Sequence, residues 1–244
     1  MLTKVSEPNH LTTSNIIKWC KENKSSDNIE RIQDNLEGYL LIKYKSKPNS
    51  ILFNYYLNKY YSHNLIQVHW TDQIILKQID SFDQNNWIVG NKLRTWVLNK
   101  IKFINLNEFR INSVLGIGGE YYLYWTKMNW VKNLIGISNH SSIISDANTN
   151  IPWSSNYLVD YNKLDTYPKI NQTDLVMINL SQLNSNIIKY INTLEYKKII
   201  LIVCNLPDSK LKLLNSNFKI SEIKYFVNYT NLIRVVILKK KCNF

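Results

Sequence analysis

The stretch Ile111-Asn112-Ser113-Val114-Leu115-Gly116-Ile117-Gly118-Gly119-Glu120 decides how the rest of the chain is read. A short apolar run enters a glycine-rich turn, and a periodic run through Tyr124 and Trp125 leaves it. The chain has six glycines, and four of them lie between Gly116 and Gly136. Glycine tolerates positive φ and lets a ligand or side chain approach the backbone closely. Glycines gathered at the end of a strand suggest the first turn of a nucleotide-type αβα sheet. Packing offers the competing account: a tight strand-to-helix turn that holds nothing.

Downstream, apolar segments alternate between strand and helix. Strands are expected at Asn112–Leu115, Asn133–Ile137, Tyr157–Asp160, Leu175–Ile178 and Ile199–Val203. Helices are expected at Glu120–Met128, Ser141–Asn148, Ile187–Thr193 and Asp208–Asn215. Phe218–Phe226 and Leu232–Leu238 read as a closing β pair. This alternation implies an α/β fold with a mostly parallel sheet covered on both faces. Ligands in such sheets sit beyond the carboxyl ends of the strands.

Upstream, an amphipathic helix is expected from about Trp87 to Ile101. Leu93, Val97, Leu98 and Ile101 form its apolar side, with Lys92, Arg94, Lys100 and Lys102 as a basic edge. Leu65–Trp70 and Gln73–Gln78 read as strands around a polar turn, and Gly38–Tyr44 as another. Residues 1–28 read as a polar arm with one short helix. Two units follow: a small N-terminal β-rich or α+β module over residues 1–80, and the α/β domain over residues 81–244.

The formal net charge of +12 and pI near 9.4 favour a polyanionic partner, RNA or DNA, or an acidic protein surface. No strongly basic amphipathic helix points to a membrane, no apolar run reaches bilayer length, and Met1 to His10 lacks the form of a secretion signal. Cys20, Cys204 and Cys242 are too sparse for a disulfide framework or a zinc pattern, which fits a reducing, intracellular location, cytoplasmic or nuclear. No histidine has zinc-ligand spacing with cysteine, so no metal is expected.

Several segments, in order, resemble the RNA uracil-5-methyltransferase family of S-adenosylmethionine-dependent, class I (Rossmann-like) methyltransferases. Ser81-Phe82-Asp83-Gln84-Asn85-Asn86 resembles the Ser-Phe-x-Gln-x-Asn segment that precedes the family's catalytic domain. Leu115-Gly116-Ile117-Gly118-Gly119-Glu120 resembles its first motif. Gly136-Ile137-Ser138 resembles the Gly-Val-Glu that holds the cofactor ribose. Asp146-Ala147-Asn148 is similar to a further stretch. Asn179 stands where the Asp-Pro-Pro-Arg loop should begin, and Val203-Cys204-Asn205-Leu206 resembles the nucleophile motif. Thr230-Asn231-Leu232-Ile233-Arg234 resembles the closing Thr-x-His-x-Glu.

The resemblance covers residues 81–241 and implies S-adenosyl-L-methionine as cofactor. Gln84, Gly116, Gly118, Gly119, Ser138 and Asn179 would hold it, and Cys204 would be the catalytic nucleophile. A thiolate adds at carbon 6 of uracil, and a base later removes the carbon-5 proton. Here the base position is Arg234, which stays protonated. Ser138 replaces the ribose-binding acid, and Asn179 replaces the loop carboxylate. Asp174 and Glu195 match no catalytic position. The pocket beyond Gly116 is either open or filled by side chains such as Tyr121 and Tyr122, a choice that needs the structure.

The expected function is therefore an RNA-associated protein with a uracil-5-methyltransferase-like fold that has lost catalysis, acting as an RNA-binding or structural or regulatory subunit. The alternatives are an active enzyme using Cys204 and a protein-binding scaffold, and a protein partner or larger complex suits either. Lys239-Lys240-Lys241 is the expected RNA patch, with Trp87, Trp96, Trp125, Trp130 and Trp153 as stacking surfaces.

Overall fold

In this computed structural model, the structure describes residues 29–35, 39–44, 51–54, 59–61, 65–70, 73–78, 81, 87–126, 128–204, 218–228 and 231–240. For residues 29–74, 87–88, 204, 218, 228, 231 and 240 the description is of backbone alone. The expected polar arm, the Asp208–Asn215 helix, Gln84 and Lys241 lie outside the described residues.

The strands β1 (Ile29–Asn35), β2 (Tyr39–Tyr44), β3 (Ile51–Asn54) and β4 (Lys59–Tyr61) form an antiparallel sheet in sequence order. The strands β5 (Leu65–Trp70) and β6 (Gln73–Gln78) form a hairpin at the expected positions. Helix α1 (Trp87–Asn107) follows. Then come β7 (Ser113–Gly118), β8 (Asn133–Ser138), α2 (Ser141–Asn150), β9 (Ser155–Leu158), β10 (Leu175–Leu180), α3 (Ser185–Asn192), β11 (Lys198–Cys204), β12 (Phe218–Asn228) and β13 (Asn231–Lys240).

These strands make a seven-stranded sheet in the order β12-β13-β11-β10-β7-β8-β9. The pairs from β11 to β9 are parallel, and β13 is antiparallel to both of its neighbours. This is the Rossmann-like, class I methyltransferase-type sheet expected from the alternation. The reversal between β7 and β10 places the crevice of such a sheet beyond Gly118 and Asn179.

Strands buried on both faces read as apolar runs, and β10 (Leu-Val-Met-Ile-Asn-Leu) and β11 (Lys-Ile-Ile-Leu-Ile-Val-Cys) do so. Their alternate residues feed two cores. Leu175, Met177, Ile200 and Ile202 pack with α1, α2 and Tyr121–Trp125 on one face. Val176, Ile178, Ile199 and Leu201 pack with α3, Tyr161, Tyr167 and Tyr190 on the other. Asn184 caps α3 by accepting the Ile187 N–H at 2.8 Å.

One expected helix is absent. Glu120–Met128 forms only a single 3-10 turn at Tyr121–Tyr124. Glu120 has φ 57°, a left-handed conformation, and so stands outside the turn as its N-cap instead of opening a helix itself. All four residues of the turn are buried, so the segment serves as core. Arg94 also departs from expectation. It is buried, because it falls with Leu93, Val97 and Ile101 on the packed side of α1.

β6 is fastened to α2 through side chains. Asn150 accepts the Leu76 N–H at 3.0 Å and donates to the Leu76 carbonyl at 2.6 Å. Asp146 accepts the Gln78 N–H at 2.6 Å. The last strand before residue 80 is therefore bonded directly to the seven-stranded unit.

At the opposite edge, Asp174 ties the starts of β7 and β10 together. Its Oδ2 accepts the N–H groups of Asn112 and Ser113 at 2.9 and 3.0 Å, and Lys197 lies 2.8 Å from Oδ1. Burial alone would raise this carboxyl, but Lys197 and the two backbone donors outweigh it and hold the group below its ordinary value. A carboxylate depressed in the folded state adds stability above its unfolded pKa of about 4, and loses it as pH falls through the folded value. Wild type should therefore exceed Asp174→Asn in urea midpoint at neutral pH, with the gap closing below about pH 4. An equal gap at both pH values would show that the charge is not the source.

Candidate functional site: the carboxyl edge of the sheet

Gly118 ends β7 with φ +95°, opposite Asn179 at the end of β10. A Cβ at Gly118 would lie 2.1 Å from the Asn179 carbonyl oxygen and 2.6 Å from Leu180 Cδ2. The next residue, Gly119, donates its N–H to that carbonyl at 2.8 Å. Both the conformation and the space at Gly118 demand glycine, and the group closing on it is the protein's own backbone.

Glu120 then turns its side chain inward. Its carboxylate is 1% exposed and faces two buried cations. Arg94 donates from Nη2 to Oε1 at 2.6 Å and from Nε to Oε2 at 3.3 Å, a two-pronged pairing. Lys77 of β6 donates to Oε1 at 3.5 Å. The hairpin, α1 and the glycine turn therefore meet at one carboxylate. This explains why a left-handed position beside two glycines carries a glutamate: the charge holds a conformation that its backbone disfavours.

One level inside the sheet, Gly116, Gly136 and Asn156 are register partners across β7, β8 and β9. Tyr121 lies along this row. A Cβ at Gly116 would be 2.5 Å from Tyr121 Cδ2, and one at Gly136 would be 2.0 Å from its hydroxyl oxygen. That hydroxyl donates to Asn156 Oδ1 at 2.7 Å. The ring is fully buried, and burial raises its phenol well above the ordinary value. Two glycines followed one strand later by an asparagine form a slot for this tyrosine.

At the end of β8, Ser138 is fully buried, and its Oγ accepts the His140 N–H at 3.2 Å. The Tyr161 hydroxyl is buried beside it. Burial pushes that phenol up to about 12, partly offset by the Ser138 hydroxyl and the Asn139 backbone. Asn179 is buried, and its Nδ2 has no partner among the described residues.

The nearby carboxylates are engaged within the protein. Besides Glu120, Asp146 accepts the Tyr122 hydroxyl at 3.1 Å along with the Gln78 N–H. Burial raises the Asp146 carboxyl, against the hydrogen bonds from Gln78 and Tyr122 and the charge of Lys77. Asp160 accepts the Asn162 N–H at 2.9 Å and sits 3.9 Å from Lys163. Among the described residues, no group of three or more His, Cys, Asp and Glu is placed to hold a metal ion.

The two remaining positions carried by the resemblance share this edge. Cys204 ends β11 opposite Ile233, and Arg234 of β13 is opposite Val203. The Arg234 guanidinium lies 5.7 Å from the Tyr225 ring centroid. Asn205, Leu206, Pro207 and Thr230, like Gln84 and Asn86, lie outside the described residues.

The lysine patch is elsewhere. Lys239 pairs in register with Lys198, the first residue of β11, so the expected RNA patch lies at the amino edge, far along the strands from Cys204. Lys239 is exposed; the side chains of Lys240 and Lys241 lie outside the described residues. Of the tryptophans expected to stack, Trp125 is fully buried and Trp96 and Trp130 pack against the core, while Trp153 is exposed. Large aromatic rings contribute most when buried, which is why these became core.

The composition did not reveal the Lys77–Glu120–Arg94 group. The spacing of Arg94 from Val97 and Ile101, three and seven residues along a helix, was the available signal for burial.

No protein-family model and no curated protein matches the chain. Solved structures do. The complex of aTrm5 with tRNALeu superposes over 93% of this chain and 77% of that one, with a TM-score of 0.61 at 12% identity. The Pyrococcus abyssi tRNA (uracil-54, C5)-methyltransferase in complex with S-adenosyl-L-homocysteine superposes over 74% of this chain, with a TM-score of 0.54 at 18% identity. This chain spans only 45% of the length of the latter protein. Such likeness establishes a shared fold, that of class I methyltransferases. Among the described residues, no helix is long and apolar enough to cross a membrane.

Proposed function

We propose that this chain is an RNA-associated protein whose methyltransferase-type sheet no longer performs methyl transfer and acts as an RNA-binding or structural or regulatory subunit. The observation that carries the reading is the use made of the glycine motif. Gly116 and Gly136 admit Tyr121, and Gly118 admits the Asn179 backbone and Leu180. The acid that follows the motif, Glu120, is taken up in pairing with Arg94 and Lys77. Ser138 offers one hydroxyl where two ribose hydroxyls would need a carboxylate, and that oxygen already accepts the His140 N–H. The residues at this edge therefore do not fit S-adenosyl-L-methionine in the manner the resemblance implies. Arg234 in the base position points the same way.

The fold shared with RNA-modifying proteins and the net charge of +12 support RNA as the partner. Neutralising Lys239, Lys240 and Lys241 together should weaken RNA binding and flatten its salt dependence, by about 0.7 in log–log slope for each single-strand phosphate that is no longer neutralised. Titration of the wild type with S-adenosyl-L-methionine in a calorimeter should give no binding heat.

One observation favours an active enzyme instead. Asn179 Nδ2 is buried without a partner among the described residues, at the same edge as Cys204. A measurable transfer of methyl groups to uridine in RNA, abolished by Cys204→Ala, would replace the proposal with that reading.

A further inference from the structure

We infer that the last turns of α1, the amino end of β12 and the carboxyl end of β13 form a docking surface for single-stranded RNA. This rests on the RNA association proposed above and gives it a place and a strand type. Phe103 and Leu106 are 52% and 79% exposed and stand three residues apart on α1, so they share one outer face of the helix.

The ring of Phe103 is held in place. Lys100 Nζ lies 5.8 Å from its centroid and 5.4 Å from that of Trp96, and bonds Glu222 of β12 at 2.7 Å. Trp96 meets Phe226 edge-on at 6.3 Å, so α1 is fastened along β12. Glu108, just past the helix, takes Lys198 at 2.6 Å.

Lys198 also marks where the exposed cations lie. Lys198, Lys239 and Lys219 are partners in one row across β11, β13 and β12, and side chains in one row point to the same face. Since Lys198 reaches Glu108, Lys239 and Lys219 rise on the α1 side as well. Both are exposed, as are Lys102 beside Phe103 and Arg110 beyond Glu108. The neighbouring acids, Glu108 and Glu222, are matched by Lys198 and Lys100. What remains is a half-exposed aromatic ring on the side of the sheet that also carries exposed cations from α1, β12 and β13. Phosphates satisfy the cations, and an unstacked base satisfies the ring. A duplex hides its base faces and would use only the charges.

The test is fluorescence anisotropy with a labelled oligouridylate of roughly 16 nucleotides and a hairpin duplex of similar charge. Phe103→Ala should weaken oligouridylate binding by about 5- to 150-fold, the worth of one base stacked on an aromatic ring, and Phe103→Tyr should restore it. Lys219→Gln with Lys239→Gln should lower the salt slope by about 1.4. Should the alanine variant lose its circular dichroism, Phe103→Leu keeps the helix apolar and removes only the stacking face.

Wild-type RNA affinity untouched by Phe103→Ala or Phe103→Leu would overturn this surface while leaving RNA association standing. Equal affinity for the duplex would overturn the single-strand assignment. No RNA binding by the wild type would overturn both.

Discussion

Glu120→Gln should cost about 3–5 kcal/mol of folding stability, the usual consequence of stranding a buried charge by removing its partner. For a chain of this size that corresponds to a fall in melting temperature of roughly 6–20 °C. The reason lies in the arithmetic of the cluster. Arg94 and Lys77 have side chains 3% exposed, and Glu120 is the carboxylate they share. An amide keeps the shape and one acceptor oxygen but removes the charge that makes two buried cations tolerable. It also removes the two-pronged grip that holds φ 57° at a residue with a Cβ.

Arg94→Met should be milder, because a buried cation is replaced by apolar volume while Lys77 still faces the carboxylate. The measurement is thermal denaturation of both variants beside the wild type. If Glu120→Gln melts within about 1 °C of the wild type, the cluster is hydrated and the buried-charge account is wrong.

Gly136→Ala should be comparably severe. The new methyl would sit 2.0 Å from the Tyr121 hydroxyl oxygen, 2.2 Å from Cζ and 2.3 Å from Cε2. The ring cannot yield cheaply, because its other end lies against Gly116, where even a Cβ would come within 2.5 Å of Cδ2, and its hydroxyl is bonded to Asn156. Overpacking a tight core usually costs about 1–3 kcal/mol. Ejecting the ring adds the lost burial of an aromatic side chain, so about 3 kcal/mol or more is expected.

A double-mutant cycle separates this steric account from a general intolerance of alanine in β8. Tyr121→Leu removes the three atoms in the way, so Gly136→Ala should cost little in that background. The coupling should be at least about 2 kcal/mol, within the range for residues in contact. A cost unchanged by Tyr121→Leu would show that the glycines are needed for some other reason, a bound cofactor among them. The same pair of variants thus bears on the function proposed.

The alternation of apolar runs with polar breaks was enough to place β5, β6, β8, β10, β11, α2 and α3, because a strand buried on both faces or a helix buried on one must show it in composition. The order of weak motifs was enough to identify the sheet as methyltransferase-like. The N-terminal end of α1 was legible, but its last turns were not, since Phe103 and Leu106 face outward there and break the expected pattern.

What the glycines are for was not legible. A Gly-x-Gly-Gly turn is the same string whether it admits a cofactor or a neighbour's ring. Only the register that aligns Gly116 with Gly136 and Asn156 reveals the slot for Tyr121. Likewise Glu120, Arg94 and Lys77 are far apart in the chain, and single charges carry no mark of burial. Parallel pairing across crossovers brings distant residues together, and those meetings alone decided which polar groups became structural. By itself the amino-acid order determined the sheet, its layers and its positive charge. The tertiary structure decided that the opening motif is packed by the protein's own side chains, because the space beside a glycine is owned by whatever the fold brings there.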